Sequence, residues 1–125
     1  MFSISAEYTF AAGHALRGYR GKCENVHGHN YRIVVRLEGA ELDAIGLLCD
    51  FTDLKAWMRE ISEQLDHQYL NDLEPFRTLN PSAENLARYF YQQLRQRAGA
   101  ALPHTRLAEV TVFETDVTSA SYRED

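Results

Sequence analysis

The sequence has little of several features that mark particular classes of protein. Among its 125 residues it has only two cysteines, Cys23 and Cys49, which are too few for a disulfide framework. Its longest apolar runs, such as 45–49, fall far short of the roughly 20 residues that a membrane-spanning helix needs. Its 13 Lys and Arg are scattered and are outnumbered by 18 Asp and Glu, so there is no basic stripe for nucleic acid. We therefore expect neither a membrane nor a nucleic-acid partner, and a reducing, cytoplasmic location.

Hydrophobic periodicity predicts strands at both ends of the chain. Apolar and polar residues alternate over 2–10 and over about 28–38, which is typical of half-buried strands. Alternation returns after Pro103, where Ala108, Val110 and Val112 share one face, and a last short strand is expected at 119–123. The loop after the first strand carries Arg17, Arg20 and Lys22.

Two amphipathic helices are predicted between these pairs of strands. The first begins at Asp53, with Thr52 or Asp53 as N-cap, and ends near Leu70. The second starts at 80–82, with Ser82 as N-cap, and stops near Gly99. The order ββααββ predicts an α+β domain over residues 1–125, with a four-stranded antiparallel sheet and two helices on one face.

Three of the five histidines are concentrated in a short early segment. His27 and His29 flank Gly28 at the entry to a strand, so both rings point to the same face. His14 can add a third imidazole from the loop after the first strand. A catalytic zinc site has three protein ligands and an open position, so this spacing favours Zn²⁺ binding. The alternative is a turn with exposed histidines.

Cys23 lies four residues before His27 and allows two opposite roles. As a fourth zinc ligand it would close a structural site. As a thiol held off the metal, near Lys22, it would be a nucleophile or a proton acceptor. Cys49 follows Leu47 and Leu48 and is expected to be a small buried hydrophobe.

Three acidic or basic residues further along the chain are candidates for the same site. Asp66 and His67 fall near the end of the first predicted helix, where adjacent side chains diverge by about a hundred degrees. Asp66 is therefore not expected to orient the ring of its neighbour His67 by a hydrogen bond, although both side chains could converge on the Cys23 thiol. Glu114 shares the parity of Val112, which places a carboxylate on an apolar face where it needs an arginine or a ligand with paired N–H donors. The alternative is that the strand ends at Phe113 and Glu114 is solvated.

Taken together, these residues resemble the 6-pyruvoyl-tetrahydropterin synthase / 6-carboxytetrahydropterin synthase family. No single segment decides the resemblance, but the order and spacing of the segments are specific. The matching segments are F-A-A-G-H at 10–14, C-E-N-V-H-G-H-N-Y at 23–31, G-L-L-C-D-F at 46–51, L-D-H-Q-Y-L-N at 65–71, N-P-S-A-E-N-L-A at 80–87 and E-T at 114–115.

The resemblance implies a role for each candidate residue. The three histidines would bind zinc, Cys23 would be the general base, and Asp66 and His67 would complete a proton relay with it. Glu114 would anchor the pterin ring, with Thr115 and Ser82 as further substrate contacts. The family fold is the tunnelling fold, in which trimers close their sheets into a barrel and two trimers stack into a homo-hexamer with active sites between subunits.

The resemblance also implies a substrate, 7,8-dihydroneopterin triphosphate, and two possible products. The compact chain favours the branch that forms 6-carboxy-5,6,7,8-tetrahydropterin for 7-deazaguanine (queuosine) synthesis, and the alternative product is 6-pyruvoyl-tetrahydropterin. Arg17, Arg20 and Lys22 are candidates to contact the triphosphate, or form a solvated loop. From other classes, two alternatives stay open: a non-catalytic zinc-binding interaction module, and a metal-free cysteine hydrolase that uses Cys23 and His67.

Overall fold

The computed structural model describes residues 1–124, except for the side chain of Cys23. Its main elements have the predicted order ββααββ. They are β1 (Phe2–His14), β2 (His27–Gly39), α1 (Phe51–Leu65), α2 (Ala83–Ala98), β3 (Arg106–Thr115) and β4 (Thr118–Tyr122). Between residues 1 and 124, no helix is both long and apolar enough to cross a membrane.

The four strands form one antiparallel sheet in the order β1-β2-β3-β4. Helix α1 lies against β1, and α2 lies against β3 and β4. The core between the helices and the sheet is built from alternate strand residues and from the apolar stripes of both helices: Phe10, Tyr31, Ile33, Val35, Leu37, Val110, Val112, Leu54, Met58, Ile61, Leu65, Leu86, Phe90 and Leu94. The predicted fold class, with both helices on one face of the sheet, is confirmed.

The first strand is longer than its sequence pattern predicts. It continues past Phe10 to His14, and the last pair of the ladder joins His14 to His27. The apolar and polar alternation stops at Ala11 and Ala12, but backbone pairing with β2 does not depend on that alternation. The prediction that His14 lies in a loop was therefore wrong, and His14 is the last residue of β1.

Helix α1 begins earlier and ends earlier than predicted. Its N-cap is Asp50, not Thr52 or Asp53, and the Asp50 carboxylate accepts a hydrogen bond of 2.8 Å from the backbone N–H of Thr52. The helix ends at Leu65 rather than near Leu70. Beyond that point the backbone N–H of His67 donates to the carbonyl of Ala11 on β1. The edge of the sheet thus takes a backbone N–H that would otherwise bond to a carbonyl within the helix.

The bounds of the second helix and of the last strands are close to those predicted from the sequence. The hydroxyl of Ser82 caps α2 by accepting a hydrogen bond of 3.1 Å from the Asn85 backbone N–H. The helix ends at Ala98, with Gly99 as C-cap. Strand β4 lies one residue earlier than the predicted 119–123. Cys49 is 8% exposed, which confirms its prediction as a buried hydrophobe.

Candidate active site

Three histidines meet at the end of the sheet where β1 stops and β2 starts. One ring nitrogen from each of His14, His27 and His29 lies within 4.8 Å of the others. The Nε2 atoms of His14 and His27 are 3.0 Å apart. These distances leave room for one ion bound by all three rings, as the spacing in the sequence predicts.

Backbone carbonyls set the orientation of two of these rings. His14 Nδ1 lies 2.7 Å from the carbonyl oxygen of Pro81, and His27 Nδ1 lies 2.7 Å from that of Asn25. Only a protonated Nδ1 can donate to a carbonyl, so each neutral ring keeps its lone pair on Nε2. Two lone pairs that face each other at 3.0 Å repel, and a cation between them removes this repulsion.

The third ring and the burial of the cluster also fit a metal. His29 Nε2 is buried and has no hydrogen-bond partner within residues 1–124. Burial lowers the pKa of His14 and of His29 below the usual value of imidazole, so both rings are held in the neutral form that binds metals. This donor set fits zinc, which favours neutral imidazole nitrogen.

The lowered pKa values predict how the metal-free protein responds to pH. In the unfolded chain a histidine takes up its proton near pH 6.5, whereas folded His14 takes it up at lower pH. Between these values the unfolded state binds more protons, so the free energy of unfolding falls as the pH drops below about 6.5. Urea unfolding in chelator at about pH 7.5 and about pH 5.5 should show this loss, and His14→Gln should reduce it. An equal reduction in His104→Gln, which alters an exposed histidine, would contradict the assignment.

Asp66 and His67 form a contact that the sequence reasoning excluded. The Asp66 carboxylate lies 2.9 Å from His67 Nδ1 and also accepts a hydrogen bond of 2.9 Å from the Ala11 backbone N–H. Adjacent residues diverge in a helix, but α1 has already ended, and His67 has a φ of 58°. The Ala11 N–H and the His67 ring hold the pKa of Asp66 below its usual range.

The His67 ring of this pair lies at the rim of an open cleft. The His67 side chain is 81% exposed, and with Nδ1 directed at Asp66 its Nε2 is the free ring nitrogen. His29 and His67 line one open cleft beside the edge of β1. An imidazole oriented by a carboxylate at the rim of a cleft is suited to proton transfer.

Glu114 lies where the register between β3 and β4 shifts, and it shares a cleft with Ser82 at the start of α2. The strand continues through Thr115 and Glu114 is half-buried, so the solvated alternative is wrong. Its negative charge acts on His14 and His29 in the direction that raises the pKa of each, which places the carboxylate near the cluster. No arginine or lysine of the described chain pairs with it. The carboxylate is therefore free to accept paired N–H donors from a ligand.

The two hydroxyl candidates differ in their surroundings. Ser82 lines a second cleft with Glu114, although its hydroxyl also caps α2. The Thr115 hydroxyl lies 2.6 Å from that of Thr118 and accepts a hydrogen bond of 3.1 Å from the Thr118 backbone N–H. Thr115 thus stabilises the turn between β3 and β4.

The remaining candidates lie in the segment between β1 and β2. The side chain of Cys23 is outside the described part of the chain, and its backbone lies in a 3-10 turn at Lys22–Glu24. The Arg17 guanidinium donates a hydrogen bond of 2.7 Å to the Phe76 carbonyl. Arg17 therefore links the loop after β1 to the segment before α2, in addition to carrying a positive charge. Arg20 and Lys22 are exposed.

Sequence reasoning missed the groups that orient the cluster. The carbonyls of Pro81 and Asn25 carry no side-chain signal, so no pattern points to them. Asn71 belongs to one of the family-like segments and was assigned no role, yet it is 7% exposed and bonds to the chain just after His14. Its place in a family-like segment was the one available signal.

Comparison with known proteins agrees with this geometry. The family model described as 6-pyruvoyl tetrahydropterin synthase matches residues 3–125. The 6-carboxy-5,6,7,8-tetrahydropterin synthase of Haemophilus influenzae is 30% identical, over 99% of this chain and 100% of that protein. The human 6-pyruvoyl tetrahydrobiopterin synthase is 34% identical, over 96% of this chain and 90% of that protein.

A solved structure gives the same result for the fold. The 6-pyruvoyl tetrahydropterin synthase of Caenorhabditis elegans superposes with a TM-score of 0.86 at 29% identity, covering 99% of this chain and 96% of that one. The family resemblance found in the sequence is thereby confirmed, and the chain belongs to the 6-pyruvoyl tetrahydropterin synthase family of pterin synthases.

Proposed function

We propose that this protein is a zinc-dependent 6-carboxy-5,6,7,8-tetrahydropterin synthase. It converts 7,8-dihydroneopterin triphosphate and water to 6-carboxytetrahydropterin, acetaldehyde and triphosphate, for 7-deazaguanine (queuosine) synthesis. The observation that carries the proposal is the cluster of His14, His27 and His29, whose nitrogens converge within reach of the negative charge of Glu114. A metal ligand set next to an acceptor for a pterin edge is what this reaction needs.

Each residue has a separate task in the proposed reaction. The three histidines hold zinc, which when bound polarises the side-chain hydroxyls of the substrate and acidifies the adjoining C–H. Cys23 takes the proton from that carbon as a general base. Asp66 orients the His67 ring, and the exposed His67 ring completes the proton relay with Cys23 across the proposed boundary between subunits.

Glu114 holds the pterin ring by accepting two N–H donors of its amino-pyrimidinone edge. Ser82 and Thr115 are proposed as further contacts, with Ser82 the better placed because it lines the same cleft as Glu114. The substrate therefore lies between the carboxylate on β3 and the histidines on β1 and β2.

The chemistry also permits a second product, 6-pyruvoyl-tetrahydropterin, formed by elimination of triphosphate without loss of acetaldehyde. The specific observation in its favour is the 34% identity to the human 6-pyruvoyl tetrahydrobiopterin synthase, which exceeds the 30% identity to the 6-carboxy-5,6,7,8-tetrahydropterin synthase of Haemophilus influenzae. Incubation with dihydroneopterin triphosphate, with assays for acetaldehyde and for the pterin products, separates the two. Acetaldehyde in step with triphosphate supports the first proposal, triphosphate alone supports the second, and no turnover by zinc-loaded protein contradicts both.

The proposed assembly is a homo-hexamer of two stacked trimers with active sites between subunits, each chain contributing a single domain over residues 1–125. One chain leaves the sheet open, because β1 and β4 each have one neighbouring strand. Near Gly13 the edge of β1 is covered by a bridge to Tyr69. Pairing between chains would then use the earlier part of β1, and light scattering should give six times the mass of one chain. The cytoplasmic location stays a prediction.

The anchor role of Glu114 predicts a binding defect. In Glu114→Gln one carboxylate oxygen becomes an N–H donor, which cannot accept the second hydrogen bond of the pterin edge. Loss of a bond to a charged group costs about 1.5–3 kcal/mol, so we expect the Michaelis constant to rise by roughly 10- to 100-fold while zinc content stays the same.

The matched control is Glu109→Gln on the same strand. Glu109 pairs with Arg123 at 3.9 Å and lies on the opposite face of the sheet, so its substitution should leave the Michaelis constant unchanged. An unchanged Michaelis constant in Glu114→Gln, or an equal rise in Glu109→Gln, would contradict the anchor role.

A further inference from the structure

The chain immediately after His14 is held by the side chains of two asparagines. The Ala15 backbone N–H donates to Asn71 Oδ1 at 3.0 Å, and Asn71 Nδ2 donates back to the Ala15 carbonyl at 2.9 Å. The same pair of bonds joins Arg17 to Asn80, at 2.9 Å and 3.0 Å. Each amide therefore satisfies both backbone groups of one residue, as a neighbouring strand would.

This asparagine clamp, Asn71 and Asn80, has a fixed chemical requirement. Each side chain must offer an acceptor and a donor at the same time, which an amide does and a carboxylate does not. Asn80 is itself held, because Asn85 Nδ2 donates to its carbonyl at 2.8 Å. Asn71 is buried with both of its groups paired, so its amide has one allowed orientation.

The clamp acts on the residues that directly follow His14. His14 and His27 form the last pair of the ladder between β1 and β2, and the described pairing of β3 with β2 reaches only as far as Arg32. His14 is the last residue of the edge strand β1, so its position depends on how the next residues of the chain are held. Asn80 also directly precedes Pro81, whose carbonyl holds His14 Nδ1 at 2.7 Å. One segment thus fixes both the backbone after His14 and the group that orients its ring.

We propose that Asn71 and Asn80 are positioning residues for the third metal ligand, His14. Asn71 holds Ala15 against the turn at Leu70–Asp72, and Asn80 holds Arg17 against the segment that carries Pro81. Together these bonds place His14 Nε2 beside His27 Nε2. The inference rests on the proposed zinc site. Neither asparagine needs to touch metal or substrate, and their effect reaches the metal through His14 alone.

The test measures zinc affinity directly, by competition with a chromophoric chelator, together with urea unfolding of the metal-free protein. Groups that orient a metal ligand typically contribute 10- to 100-fold in affinity, so Asn80→Ala should weaken zinc binding by roughly that factor. Asn80→Asp keeps the size of the side chain but loses its donor, and should weaken binding in the same direction. Asn71→Ala tests the buried asparagine in the same way. If the Asn71→Ala protein does not fold, the two Asn80 variants are sufficient for the test.

Two controls distinguish positioning of His14 from a general effect of the asparagines on protein stability. Tyr91→Phe removes a hydrogen bond of 3.2 Å to the Leu107 carbonyl, on a part of α2 remote from the cluster. It should lower the free energy of unfolding without changing zinc affinity. In a His14→Ala background, Asn80→Ala should cause no further loss of the residual zinc affinity, because its effect passes through His14.

Two results would overturn the proposal. If the Asn80 variants bind zinc as tightly as the wild type, the asparagines do not position His14. If Asn80→Ala weakens zinc binding equally with and without His14, its effect does not pass through that ligand. Failure of the wild-type protein to bind zinc is a different result, since it removes the zinc site of the proposed function and this inference with it.

Discussion

Replacing His29 by Ala should remove zinc from the protein, lowering its content from about one ion per chain to almost none after dialysis. A catalytic zinc site has three protein ligands, and loss of one leaves only two nitrogens. His14→Ala and His27→Ala should have the same effect. Catalysis should disappear with the metal, because polarisation of the substrate depends on it.

Folding should survive these substitutions better than metal binding does. The cluster lies at one end of the sheet, whereas the core between the helices and the sheet consists of apolar side chains that the substitutions leave in place. Metal analysis and circular dichroism on the three variants give the comparison, with His104→Ala, an exposed histidine, as control. Full zinc retention in all three variants would rule out this site.

The sequence predicted the fold well because burial on one face leaves a pattern. The alternation of Tyr31, Ile33 and Val35 shows which face of β2 is buried, and these side chains are indeed in the core. The end of α1 was misplaced for a different reason. After the helix ends, the Asp66 carboxylate and the His67 backbone N–H both bond to Ala11, and a contact between residues so distant in sequence leaves no local pattern.

The candidate site was predictable only in part. The spacing of His27 and His29 predicts a shared face, because side chains two residues apart in a strand point the same way. The carbonyl of Pro81 that orients His14 could not be predicted, since backbone groups are the same at every position. The contact of Asp66 with His67 was missed because it depends on where the helix ends.

Cys23→Ala is expected to keep zinc at the wild-type level and to lose roughly 10²- to 10⁴-fold in turnover, the usual contribution of a general base. The reason lies in the division of tasks at the site. Three histidines already complete the ligand set of a catalytic zinc, so a thiol that acts as the base is not needed to hold the metal. If Cys23 were instead a fourth ligand, its removal would lower zinc affinity before anything else.

Two comparisons make this result specific to the proton relay. Asp66→Asn keeps an oxygen that can accept the Ala11 N–H, but its new NH₂ group cannot accept the proton on His67 Nδ1. It should lower turnover and leave zinc in place, as Cys23→Ala does, and the double variant should be little worse than Cys23→Ala alone because both act on one proton. Cys49→Ala is the control, a buried cysteine whose thiol pKa is raised by burial and which has no part in the reaction. A Cys23→Ala protein that has lost its zinc, or that turns over at the wild-type rate, would overturn the mechanism.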